Sequence, residues 1–151
     1  MIAQSHRCVP AQRRRDVTPS ERELMRESFA QVALMPDVAG ALFYERLFTV
    51  NPEFRALFKH DMRIQNVKLI MMLAVIVEHY DDLDEILPAL REMGQRHAGY
   101  GVKDRDYDVI GESLLWMLEQ VLGASFTPAV RDVWAACYEG LAREMKVASQ
   151  S

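Results

Sequence analysis

The sequence predicts an all-α domain, on three observations. Apolar residues recur every three or four positions in six or seven successive stretches. No stretch of strand length alternates apolar and polar residues with period two. Pro, Gly, Asp and Thr punctuate the stretches at places where helices start and stop. A chain of 151 residues is long enough for one domain with a sizeable core. With 50% hydrophobic and 26% charged residues but only 7 Gly and 6 Pro, it falls outside the collagen-like, low-complexity and disordered classes. It has no internal repeat, so a packed domain is expected rather than a solenoid.

Residues 1–17 carry Arg13, Arg14 and Arg15, a proline and few large apolar groups, and read as a disordered tail ahead of a domain over 18–151. Thr18-Pro19-Ser20-Glu21 combines a cap, a first-turn proline and a capping-box acid, and opens a helix to about Leu34. Pro36 and Asp37 open a second helix with Ala41, Phe43 or Tyr44, Leu47 and Phe48 on its apolar side. Asn51 and Pro52 end it and begin a short third helix through Phe58. Asp61 caps the segment Met62 to Tyr80, which is apolar all round and therefore expected to be enclosed between layers or by some other apolar body. Pro88 interrupts or begins the next helix, in which Leu87, Leu90, Met93 and His97 recur every three or four residues, and Gly99 to Gly101 stop it. Asp104 or Asp106 is expected to cap a long helix closed by Gly123, and Thr127 with Pro128 begins the last.

A net charge of −4 gives no basic field for phosphates, so nucleic acid is not an expected partner. Cys8 and Cys137 make neither a disulfide framework nor a zinc site, which fits a reducing compartment. The start lacks the apolar run of a secretory signal, and the longest such run, Leu69 to Val77, is too short to span a membrane. A cytoplasmic protein without a membrane partner is expected.

The sequence holds no GxxxxGK, GxGxxG, GxSxG, HExxH, CxxC or CxxCH, which removes the usual support for phosphate-loop, dinucleotide, serine-hydrolase, zincin and covalent c-type haem chemistry. His97 extends the inward row of Leu90 and Met93, either as a core histidine bonded to a backbone carbonyl or as a ligand. Gln65, Lys68, Leu69, Met72 and Ile76 share one face of the apolar helix, where the glutamine is either a polar intruder or a solvated first-turn residue. Tyr44 reads as a core tyrosine or as a hydroxyl donor. His6, His60 and His79 sit among polar neighbours, and the nine methionines suit core filling.

Taken together, two stretches resemble the globin domain of flavohaemoglobins and the related single-domain bacterial globins. Phe43-Tyr44-Glu45-Arg46-Leu47-Phe48-Thr49-Val50-Asn51-Pro52-Glu53 through Phe58 resembles that family's distal tyrosine followed by its haem-packing phenylalanine. Gln95-Arg96-His97-Ala98-Gly99-Tyr100-Gly101-Val102-Lys103, with Tyr107, Val109, Gly111, Glu112, Leu114 and Leu115, resembles its proximal histidine and the following helix. The resemblance runs from about Thr18 to Lys146. It implies a globin fold, a three-over-three helical sandwich around one noncovalent haem b. It also implies His97 as the iron ligand, Tyr44 and Gln65 as distal ligand-stabilising donors, and Phe58 and Leu69 as walls of the pocket. Lys68, Met93, Val102 and Tyr107 complete the implied surroundings of the cofactor. The complete first helix sets the chain apart from truncated globins.

The implied function is reversible binding of dioxygen, nitric oxide and carbon monoxide, as in oxygen transport or storage. A second reading is a nitric oxide dioxygenase served by an external reductase, since the chain ends where a flavin and nicotinamide domain would begin. A third is a haem-free globin-like interaction module. A monomer or weak homodimer is expected. In flavohaemoglobins a tyrosine ten residues after the proximal histidine, here Tyr107, works with a glutamate whose position falls at Ser151. The connection from Phe58 to Gln65 is about three residues shorter than in that family.

Overall fold

The computed structural model describes residues 17–58 and 61–150. The tail expected over 1–17, with its arginine triplet, His6 and Cys8, lies outside the described residues except for Val17, and so does His60. Among the described residues six α-helices follow one another: α1 Pro19–Ala33, α2 Pro36–Val50, α3 Met62–Glu78, α4 Leu87–Gly99, α5 Asp106–Leu122 and α6 Pro128–Ser149. Short 3-10 turns at Pro52–Leu57, Leu83–Ile86 and Gly123–Ser125 join them.

The helix starts are built by side chains. Thr18 Oγ1 accepts from the Glu21 amide at 3.1 Å while Glu21 returns a carboxylate to the Thr18 amide at 3.2 Å, closing a capping box over α1. Asp61 Oδ1 accepts from the Arg63 amide at 2.9 Å, and Thr127 Oγ1 from the Val130 amide at 3.2 Å, so α3 and α6 begin where the sequence places them. At α5 neither aspartate acts as the cap: the N-cap is Arg105, and Asp106 Oδ2 instead accepts from the Lys103 amide at 2.8 Å, tightening the turn before the helix. Gly123 ends α5 at φ +55°, a conformation that costs glycine nothing.

Helices α1, α3 and α4 lie over α2, α5 and α6 in a three-over-three sandwich. The most extensive contact is α4 on α6, followed by α2 on α3 and α2 on α5. Two glycines set the closest crossings. A Cβ at Gly40 would stand 2.5 Å from the Asn66 carbonyl oxygen, and one at Gly94 would stand 2.4 Å from that of Met145. Trp134 is fully buried in α6 and donates from Nε1 to Ser28 Oγ of α1 at 2.9 Å, while Ser28 itself donates to the Leu24 carbonyl. That relay satisfies the polar atoms that tie the two layers together.

The expectation that the apolar segment Met62 to Tyr80 is enclosed between layers or by another apolar body is overturned. Ile64, Met71 and Val75 of α3 are 59%, 63% and 40% exposed. In a two-layer sandwich a helix is covered from one side and its flanks, so one face of α3 meets water whatever its residues.

Candidate functional site

Between the layers lies a cavity whose walls come from α2, the Pro52–Leu57 turn and Phe58, α3, α4, α5 and α6 and are almost wholly apolar. Its polar side chains are those of Tyr44, His97 and Tyr138. Of the nine site residues implied by the resemblance, six line it: Tyr44, Phe58, Leu69, Met93, His97 and Val102. The other three stand elsewhere. Gln65 is held behind the lining by Tyr44, Lys68 is exposed on α3, and Tyr107 is buried beside the His97 ring.

His97 occupies the last turn of α4, one turn after Met93, and its Nδ1 lies 2.7 Å from the Met93 carbonyl oxygen. A carbonyl only accepts, so Nδ1 carries the proton and Nε2 keeps its lone pair for a ligand. Both alternatives left open for this residue are thereby compatible, because the carbonyl bond of a core histidine is also what orients a ligating one. The helix end is fastened by the Val102 amide, which donates to the His97 carbonyl at 2.9 Å. The Tyr107 ring lies 6.3 Å from the His97 ring, its hydroxyl buried without a hydrogen-bond partner among the described residues. Lys146 Nζ stands 5.8 Å from the Tyr107 ring centroid. Tyr138 donates to the Tyr107 carbonyl at 2.7 Å, lying where a Cβ on Gly111 would strike its ring.

On the α2–α3 side, Gln65 Nε2 donates to Tyr44 Oη at 3.0 Å. Phe43, Phe48 and Phe58 surround the Tyr44 ring at centroid separations of 4.9, 5.9 and 5.1 Å. Burial pushes the phenol up from its ordinary value, and the Gln65 bond offsets only part of that rise. Tyr44 is therefore a neutral hydroxyl whose acceptor side is occupied and whose proton is free to turn toward the cavity.

Much of the wall was not singled out from sequence as functional. Trp134, Cys137, Leu141 and Met145 of α6 face the cavity, yet their helical spacing is the same whether the row packs on protein or on a ligand. Among the described residues no group of three or more His, Cys, Asp or Glu side chains converges on a metal position. A lone imidazole in an apolar slot suits a metal held in its own macrocycle, with the protein supplying one axial bond. The residues present fit a haem.

Fold and site together define a haem-binding helical sandwich protein. The globin family model, described simply as Globin, matches residues 41–145, and the chain belongs to the globin family. That family binds haem b. The chain is similar to a neuroglobin of Tetraodon nigroviridis, 27% identical over an alignment of 143 residues, gaps included, that covers 85% of this chain and 90% of that protein. It is also similar to a flavohemoprotein of Bordetella parapertussis, 30% identical over 129 residues, 83% of this chain but 32% of the relative, so it spans about a third of that protein's length. Among solved structures, an engineered carbene transferase from Rhodothermus marinus, a candidate nitric oxide dioxygenase, superposes with a TM-score of 0.78 at 26% identity, covering 89% of this chain and 94% of that one. A bacterial globin from Campylobacter jejuni superposes with a TM-score of 0.76 at 18% identity, over 88% and 96% of the two chains, and shows the same fold.

Proposed function

We propose that the chain is a haem b globin that binds dioxygen and other diatomic ligands reversibly, with His97 as the residue that would hold the iron and Tyr44 as the donor to the bound gas. When bound, the haem supplies the iron on which gases bind and electrons are exchanged. The protein's part is to hold and to discriminate. Nε2 of His97 holds the metal, the apolar walls exclude water, and Phe58 and Leu69 shape the space beside it. Gln65 occupies the acceptor side of Tyr44 so that the hydroxyl proton points to the ligand. The observation that carries this reading is the Gln65–Tyr44 bond of 3.0 Å on a cavity also lined by an imidazole with its Nδ1 proton already spent.

The second reading, nitric oxide conversion to nitrate with an external reductase, is supported by the flavohemoprotein likeness, and it uses the same pocket. What favours binding over oxygen activation is the partner of His97. A neutral carbonyl at 2.7 Å polarises an imidazole less than a carboxylate would, and among the described residues the Tyr107 hydroxyl beside it has no hydrogen-bond partner to make it a relay. We place the protein in the cytoplasm, as a monomer or weak homodimer, with neither nucleic acid nor membrane as partner. No helix among the described residues is long and apolar enough to cross a membrane.

Optical titration of the reduced, haem-loaded protein with dioxygen and carbon monoxide tests the reading. Reversible spectral change with dioxygen is expected, and a colourless protein or rapid irreversible oxidation would overturn it. Mixing the oxygenated protein with excess nitric oxide separates the second reading. One turnover per haem unless a reductase is added fits the binder, whereas repeated turnover with nicotinamide cofactor alone would make the chain a self-sufficient enzyme.

A further inference from the structure

The outward face of α3 has work to do that the cavity does not explain. Ile64, Met71 and Val75 are 59%, 63% and 40% exposed, and they recur on one side of the helix with the small Ala74 beside them. Singly exposed apolar residues are ordinary, but a continuous row on one helix face is not. The cofactor does not cover them: α3 turns Leu69, Met72, Leu73 and Ile76 to the cavity, and none of the exposed three lines it. Only Arg63, Lys68 and Glu78 carry charge along the seventeen residues of α3. Arg63 pairs with Asp61, whereas Lys68 and Glu78 are both exposed and neither forms an ion pair with another described residue.

We infer that this face pairs with the same face of a second copy of the chain, the two α3 helices running antiparallel so that Lys68 of each meets Glu78 of the other. The order of residues selects this arrangement. In an antiparallel pair, positions equidistant from the two-fold axis face each other. An axis at the level of Leu73 sets Lys68 against Glu78 and Met71 against Val75, each pair formed twice. Ala74 lies next to the axis, where a small side chain lets the helices approach. A parallel pair would oppose Lys68 to Lys68 and Glu78 to Glu78, so charge selects the orientation. This is the self-complementarity a two-fold interface requires. The row from Ile64 to Glu78 is about 21 Å long at a rise of 1.5 Å per residue. One helix face of that length buries well under the roughly 800 Å² per partner of a stable complex. The dimer is therefore weak and concentration-dependent, and the exposed charge pairs set its register more than its strength.

Sedimentation velocity on the full haem-loaded chain, from micromolar to millimolar concentration, tests the pairing. A monomer–dimer equilibrium is expected, and Met71→Glu should weaken it by about tenfold or more, as loss of a central apolar contact does. Because Met71 is exposed, helix content and the haem absorption band are expected to stay as in the parent. Lys68→Glu and Glu78→Lys should each weaken association, and the double variant should restore it, which no loss of folding can mimic. A chain that stays monomeric to millimolar concentration overturns the inference and leaves the face to some other partner. So does a dimer indifferent to Met71→Glu, or a double variant no better than the single ones.

Discussion

The imidazole of His97 donates from Nδ1 to the carbonyl oxygen of Met93 at 2.7 Å, one helical turn below it. The bond settles the tautomer and aims Nε2 away from the helix, so the imidazole is oriented by backbone rather than by a second side chain. His97→Gly is expected to leave the fold but lose the haem, taking content from about one per chain to near none, because among the described residues no other imidazole lines the cavity to hold the iron. Added imidazole should restore the absorption band by entering the space the side chain leaves. Haem retained by the variant with an unchanged spectrum would move the axial role to another residue.

Tyr44 and Gln65 form a unit in which the amide occupies the phenol oxygen and frees the phenol proton. Tyr44→Phe removes a donor to a partly charged acceptor, worth about 1.5–3 kcal/mol, or roughly ten- to a hundredfold faster dioxygen dissociation. Carbon monoxide, less polar when bound, should respond less. Gln65→Leu acts partly through Tyr44, so the double variant should cost less than the two single losses added together. Flash photolysis with both gases reads all three. Equal small changes for dioxygen and carbon monoxide would show that the hydroxyl points away from the ligand.

The helices were legible because their starts are local chemistry: Thr18 with Glu21, Asp61 with Arg63, and Thr127 with Val130 each close a cap within three residues. The α5 start was not, because Asp106 spends its carboxylate on the preceding turn, a choice between two local bonds that residue type cannot decide. His97 and Tyr44 stood out only when two distant stretches were read together, since each alone has a core explanation. The α6 wall stayed hidden for a related reason: Trp134, Cys137 and Leu141 keep helical spacing whatever they face. The outward apolar row of α3 was visible as composition, but its exposure depends on which side of the sandwich the helix occupies. Gly40 and Gly94 carried no signal at all, as their importance lies in backbones brought together from far along the chain.

Gly94 and Gly140 make opposite predictions for the same change. A Cβ at Gly94 would meet the Met145 carbonyl oxygen at 2.4 Å and its Cα at 2.7 Å, both backbone atoms that cannot rotate aside. Gly94→Ala must push α4 off α6, costing about 1–3 kcal/mol and tilting the helix that carries His97 three residues later. Urea unfolding should show the loss, and haem transfer to an acceptor protein should run faster. At Gly140, inside α6, nothing lies within 4 Å of the added carbon. Gly140→Ala should stabilise by about 0.5–1 kcal/mol by removing backbone freedom from the unfolded chain. Equal effects at the two sites would refute the close α4–α6 crossing.

Alkaline pH is where the buried phenols make themselves felt. Tyr44, Tyr107 and Tyr138 are all pushed up from the ordinary value of 10.0, each chiefly by burial, with Asp104 adding to the rise at Tyr107 and with Tyr107 and then Asp108 adding at Tyr138. Their folded-state values exceed their unfolded ones, so between the two the unfolded chain has released protons that the folded chain still holds. Stability is then fully present below about pH 10 and falls as pH rises through that window, at about 1.4 kcal/mol per pH unit for each group titrating only in the unfolded state. Thermal unfolding measured from neutral pH to about pH 12 should show a flat midpoint followed by a steep decline beginning near the ordinary tyrosine value. Tyr138 is shifted furthest, so Tyr138→Phe, though weaker at neutral pH for want of its bond to the Tyr107 carbonyl, should decline less steeply. A variant that loses stability in parallel with the parent across the alkaline range would mean that Tyr138 ionises as freely in the folded chain as in the unfolded one.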